Sequence, residues 1–119
     1  MSTTLYERLG GTEGITRIAN DVVDNHLANP CIATRFQKID SRGLKKAAAS
    51  FFITGTGGPQ VYEGKDMVTA HANMNVSAEE FVAVLDDALA ALTKNGIGQR
   101  EQEEVLFALY SMKATIVGQ

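Results

Sequence analysis

The sequence holds one cysteine, two prolines and no tryptophan in 119 residues. A lone Cys31 cannot close an intramolecular disulfide, so the fold is expected to rest on its core and to suit a reducing compartment. One cysteine and two histidines, His26 and His71, fall short of a zinc site of the Cys/His type. No apolar run approaches the roughly 18–20 residues that cross a bilayer. Met1-Ser2-Thr3-Thr4 has no basic start followed by an apolar stretch, so no cleaved leader is expected and the cytoplasm is the expected location. Basic residues are scattered, with Lys45-Lys46 the densest pair, and the formal net charge is −3. That balance gives no electrostatic footprint for nucleic acid. No serine, histidine and acid share the spacing of a nucleophilic triad. Gly55-Thr56-Gly57-Gly58-Pro59 runs into proline instead of a helix with a phosphate-binding lysine, and reads as a chain break. No alternating β-branched run with hairpin turns is present, so the expected class is all-α.

What remains is helical periodicity. Hydrophobic residues make up 45% of the chain and aromatics only 7%, which describes one soluble domain, residues 1–119, with an aliphatic core. Thr4 and Glu7 fit a capping box for a short first helix that stops at Gly10-Gly11. Thr12 is expected to cap a second helix carrying Ile15, Ile18, Ala19, Val22, Val23 and Leu27 on one stripe. Asn29-Pro30 ends it. After a short segment from Cys31 to Phe36, Asp40 or Ser41 caps a helix bearing Leu44, Ala47, Ala48, Phe51 and Phe52. An irregular loop with Tyr62 and Gly64 follows, then a short helix around Lys65–Asn73 with Met67 and His71 at i, i+4 on one face. Ser77 and Glu80 form a second capping box, opening a helix with Phe81, Val84, Leu85, Ala88, Leu89 and Leu92 that stops at Gly96. One last helix, from about Gln99, uses Val105, Leu106, Leu109, Met112 and Ile116.

Two readings stand for each histidine on this pattern alone. His71 is either a satisfied structural histidine or an axial ligand to haem iron, a role that a neutral imidazole fills. His26, among Asp24, Asn25 and Asn29, is either a surface or capping residue or a second ligand.

The order and spacing of several short motifs bear on that choice. Leu5-Tyr6-Glu7-Arg8-Leu9-Gly10-Gly11, Leu27-Ala28-Asn29-Pro30, Phe36, Phe51-Phe52, Gly57-Gly58-Pro59 and Tyr62-Glu63-Gly64-Lys65-Asp66-Met67 followed by His71 together resemble the truncated haemoglobins of group 1. The resemblance runs over nearly the whole chain and implies a two-over-two helical sandwich, a truncated globin-like fold. It implies a b-type haem, iron protoporphyrin IX, held non-covalently with His71 as the proximal ligand. By position, Phe36, Leu44, Phe51, Phe52, Tyr62, Met67 and Phe81 would line the haem.

The chain departs from the family on the distal side. The family's distal tyrosine and glutamine fall at Val23 and Ala48, and its gate position is Leu44, so no side-chain donor is expected for a bound gas. A hydrogen bond to a charged acceptor is worth about 1.5–3 kcal/mol. Its loss is expected to raise oxygen dissociation by about one to two powers of ten, to affect carbon monoxide less, and to leave a five-coordinate ferrous form. Tyr6 and Tyr110 are not expected to supply the donor, given their helical positions. Gly43 and Ala47 fall where basic partners of the haem propionates often lie, which leaves Arg42, Lys45 and Lys46 as candidates.

The function implied is reversible binding of oxygen, carbon monoxide or nitric oxide. The alternatives are a nitric oxide dioxygenase, which needs a stable oxygen complex and a reductase partner, and a gas sensor or adaptor acting through a protein partner. A helical interaction module that has lost its haem is disfavoured by the retention of His71 and Phe36. Enzymatic activity is not required by the sequence, and a monomer or weak dimer is expected.

Overall fold

Thr4 sets the first helix, α1 (Leu5–Arg8), its side chain accepting the Glu7 amide at 3.1 Å. The computed structural model describes residues 4–36, 39–64 and 74–118. The Thr4 capping box is only half formed, because the Glu7 carboxylate takes the Thr4 hydroxyl at 3.5 Å. The second helix, α2 (Gly11–Ala28), starts before Thr12 and not after it. Gly10 and Gly11 have φ of 100° and 68°, a left-handed turn that redirects the chain without a side-chain cap. Thr12 instead pairs its hydroxyl with that of Tyr6 at 2.6 Å. Asn29 is extended ahead of Pro30 and closes α2.

A 3-10 turn (Ala33–Phe36) leads to α3 (Ser41–Gly55). Asp40 caps α3, accepting from the amides of Arg42 and Gly43. Ser77 and Glu80 form a complete capping box at the start of α4 (Ala78–Lys94). The expected last helix is two, α5 (Gln99–Tyr110) and α6 (Lys113–Ile116). At the break, the Ser111 hydroxyl donates to the Phe107 carbonyl at 2.7 Å and the Met112 amide turns back three residues to Leu109. Local serine bonding of this kind competes with the helical ladder. The break lets Val117 pair with Val76 in an isolated bridge, with the Gly118 amide 2.9 Å from the Val76 carbonyl. The helix expected around Lys65–Asn73, with Met67 and His71, lies outside the described residues.

Helix α2 packs on α1, the 3-10 turn, α3 and α4, and α4 packs on α5. The pairs α2/α3 and α4/α5 thus join through α2 and α4. Leu9, Ile15, Ile18, Val22, Ile53, Ala88, Ala91, Leu92 and Val105 form the core between them. Full burial of an aliphatic side chain of this size is worth about 1.5–3 kcal/mol. No helix among the described residues is long and apolar enough to cross a membrane.

One close approach fixes how α1 meets α2. A Cβ on Gly14 would sit 2.4 Å from the Leu9 carbonyl oxygen, a backbone atom that cannot swing away. Gly14→Ala is therefore expected to cost about 1–3 kcal/mol, as overpacked sites do. A urea unfolding midpoint equal to that of the parent chain would show that the two helices separate freely.

Candidate functional site

The α2 stripe ends differently from its expected course. Leu27 is 38% exposed, and His26 is buried at 8%. His26 lies eleven residues beyond Ile15, about three turns at 3.6 residues per turn, and so continues the same line. Leu27 is a further third of a turn away. The expectation of a surface or capping His26 is corrected on this geometry. Its Nδ1 lies 2.6 Å from Asp87 Oδ2 on α4, and its ring stacks on Phe36 with centroids 5.7 Å apart and an 11° interplanar angle.

Beside this pair opens an apolar cavity of about 310 Å³, within the roughly 300–1,000 Å³ range of small-molecule and cofactor sites. Helix α2 contributes Val22, Val23 and His26; the 3-10 turn contributes Arg35 and Phe36; α3 contributes Leu44, Ala47, Ala48, Phe51 and Phe52. Tyr62, Phe81 and Leu85 complete much of the wall, and Leu109, Met112 and Ile116 close it from the C-terminal helices. Phe36, Leu44, Phe51, Phe52, Tyr62 and Phe81, expected to line a cofactor, thus share one wall. Phe51 meets the Tyr62 ring edge-on at 5.3 Å and Phe52 at 5.9 Å. Val23, Leu44 and Ala48 are on that same wall and offer only hydrocarbon. Tyr6 and Tyr110 are not among its lining residues. Tyr6 is tied to Thr12, and Tyr110 is 55% exposed. Met67 and His71 lie outside the described residues.

Charge enters the wall through Arg35, which the sequence does not single out, and Glu80, which it marks only as part of the Ser77 capping box. The Arg35 guanidinium forks onto the Glu80 carboxylate through Nε and Nη2, the latter at 2.9 Å, and its Nη1 donates to the Met74 carbonyl at 3.0 Å. Arg35 above all, and then the Ser77 amide, hold the Glu80 carboxyl down at about 2. The spacing Ser77–Glu80 signals the capping box, but nothing local in the sequence signals Arg35. The basic candidates for the propionates are not among the lining residues of this cavity. Arg42, Lys45 and Lys46 line a separate groove with Thr16 and Asn20, because α3 turns that face toward α2. Lys45 is engaged there by Asp24 at 2.8 Å.

Comparison with known proteins agrees with this architecture. A family model described as bacterial-like globin matches residues 4–117. The group 1 truncated hemoglobin of Tetrahymena pyriformis is 30% identical over 94 residues, covering 79% of this chain and 78% of the relative. The group 1 truncated hemoglobin of Synechocystis sp. is 30% identical over 99 residues, with 80% of each chain covered. The solved Fe(III) form of the T. pyriformis protein superposes with a TM-score of 0.94 at 26% identity, over 98% of this chain and 100% of that one. A 2/2 hemoglobin from Synechococcus sp. shares the fold at a TM-score of 0.85 and 23% identity, over 93% of this chain and 94% of its own. The chain has the two-over-two helical fold and belongs to the bacterial-like globins, among the group 1 truncated haemoglobins.

Proposed function

We propose that this protein holds a b-type haem in the cavity between its helix pairs, with His71 as the proximal ligand, and binds diatomic gases reversibly against an apolar distal wall. Family membership implies haem, and the cavity fits it. A flat, mostly apolar macrocycle needs an apolar slot with aromatic walls, which Phe36, Phe51, Phe52, Tyr62 and Phe81 supply. The haem, when bound, supplies an iron with an open coordination position. The chain's own part is to bury the macrocycle, exclude water and present Val23, Leu44 and Ala48 to the incoming gas.

The observation that carries this reading is the convergence of those side chains on one cavity. The solved relative from T. pyriformis carries Fe(III), and the Synechococcus protein carries a covalently attached heme. The single cysteine, Cys31, is exposed and is not among the cavity lining, which speaks against a thioether link to the haem. The absorption spectrum of the ferrous protein, with and without oxygen and carbon monoxide, tests the proposal. A Soret band, a five-coordinate ferrous spectrum and reversible shifts with each gas are expected. His71→Ala is expected to weaken or abolish the band. A chain that stays colourless after haem addition sinks the reading, and a six-coordinate ferrous form contradicts the open coordination position.

A further inference from the structure

We propose that the groove between α2 and α3, on the face of α3 opposite the apolar cavity, binds a multiply charged phosphate-type oxyanion. The groove and the cavity share no lining residue, so the inference does not depend on what fills the cavity.

Three observations carry it. First, the groove holds about 410 Å³ and its lining is a set of donors. Helix α3 contributes Arg42, Lys45, Lys46 and Ser50, and α2 contributes Thr16 and Asn20, over a floor of Ala49 and Ile53. No carboxylate is among these lining residues. Second, the charge is unmatched. Lys45 is shared with Asp24 at 2.8 Å, but the side chains of Arg42 and Lys46 meet no partner among the described residues. The neighbouring acids are committed elsewhere. Asp21 is held by Lys94 and Asn95, and Asp40 accepts from the Arg42 and Gly43 amides. Glu13 is exposed and does not line the groove, and α3 itself carries no acid. Third, Arg42, Lys45 and Lys46 lie three and four residues apart, so their Cβ atoms are about 5–6 Å from one another on the helix surface. Like charges at that spacing repel and weaken a helix. An anion seated between them removes that repulsion.

The side chains divide the task. Arg42 offers a planar fork that matches the oxygens of a phosphate two at a time, and Lys46 offers a point charge one turn further on. The Ser50 hydroxyl and the Asn20 amide add neutral donors from the two walls. Thr16 is a bystander, because its hydroxyl already donates to the Thr12 carbonyl at 2.7 Å. Ala49 and Ile53 are buried and apolar, which confines recognition of charge to the Arg42–Lys46 end.

Isothermal titration of the full chain, after haem addition, with inorganic pyrophosphate at constant ionic strength tests this. Saturable one-to-one binding is expected. Arg42→Gln and Lys46→Gln are each expected to weaken it about three- to tenfold, as loss of a charge-assisted bond in a partly open site does. Both side chains are exposed, so the variants should give the circular dichroism spectrum of the parent. Arg100→Gln, which removes the same charge from an exposed residue on α5, is expected to leave the affinity unchanged. Cosedimentation with phosphatidylglycerol vesicles, against phosphatidylcholine vesicles, distinguishes a lipid headgroup from a free anion as the source of the phosphate. Binding to the first vesicles alone, lost in Lys46→Gln, would support the site with a lipid as its ligand. Binding of neither probe, or affinity unchanged in Arg42→Gln and Lys46→Gln, overturns the site. Equal weakening by Arg100→Gln also overturns it, since net charge alone would then account for the attraction. A colourless chain that still binds pyrophosphate overturns the haem reading and leaves this one standing.

Discussion

Val23→Tyr is expected to slow oxygen dissociation from the haem-loaded protein by about 10- to 100-fold relative to Val23→Phe. Val23 is 2% exposed, on the cavity wall shared with Leu44 and Ala48. None of these three side chains carries a polar atom, so a gas bearing partial negative charge at the proposed haem iron would meet hydrocarbon there. A phenol hydroxyl at this position would donate to that charge in a water-excluded site. A hydrogen bond to a charged acceptor is worth about 1.5–3 kcal/mol, and about 1.4 kcal/mol is a factor of ten. The phenylalanine variant supplies the same ring without the hydroxyl, so the ratio between the two isolates the hydrogen bond from the added bulk. Stopped-flow displacement of oxygen by carbon monoxide reads the rate. Carbon monoxide dissociation should change much less, since that ligand carries less charge when bound. Equal oxygen rates for the tyrosine and phenylalanine variants would mean that another group already donates to the ligand.

The helices were legible where a local signal decides their ends. Asp40 and Ser77 cap α3 and α4 because their side chains reach amides two or three residues on, a rule that depends only on short-range sequence. The misplaced ends had a different cause. Thr12 has the chemistry of a cap, but the left-handed pair Gly10-Gly11 had already turned the chain, and Tyr6 claimed the hydroxyl. Ser111 breaks the last helix through a bond to a carbonyl four residues back, and it does so beside a strand-like contact with Val76 that is distant in sequence.

The cavity was legible in part for a related reason. Aromatic and aliphatic residues spaced by three or four on α3 must share a face, so Leu44, Ala48, Phe51 and Phe52 follow from periodicity once the helix is placed. Their meeting with Phe36 and Phe81 depends on tertiary packing and came from the resemblance to a family. Charged groups were harder. Arg35 acquires its place only when Glu80, 45 residues away, comes alongside. His26 sits on the apolar line of α2, a signal that was present, but its partner Asp87 is 61 residues distant. The lysines of α3 show the converse. Their positions on the helix were known, but which neighbour that face would meet was not.

The clasp at Arg35 has the largest expected effect on stability. Glu80 does two jobs with one carboxylate: Oε1 accepts the Ser77 amide at 3.0 Å, closing the capping box, and both oxygens receive Arg35. Glu80→Ala removes the reciprocal half of the cap, worth about 1 kcal/mol, and strands a half-buried guanidinium that loses charge-assisted bonds worth about 1.5–3 kcal/mol. A total loss of about 3 kcal/mol at pH 7 is expected in urea unfolding followed by circular dichroism. Arg35 also holds the Met74 carbonyl, so its release loosens the cavity wall beside Phe36, and weaker haem retention should accompany the lower stability. The sign of the pH dependence follows from the carboxyl's depression from 4.5 to about 2. A group with a lowered folded value stabilises above its unfolded value and loses that contribution as pH falls through the folded one. The gap between parent and variant should therefore be full above about pH 4.5 and should close between there and pH 2. A double-mutant cycle with Arg35→Met separates the pair from the cap. A coupling energy near zero would assign the whole effect to the capping box and leave Arg35 without a share in holding the wall.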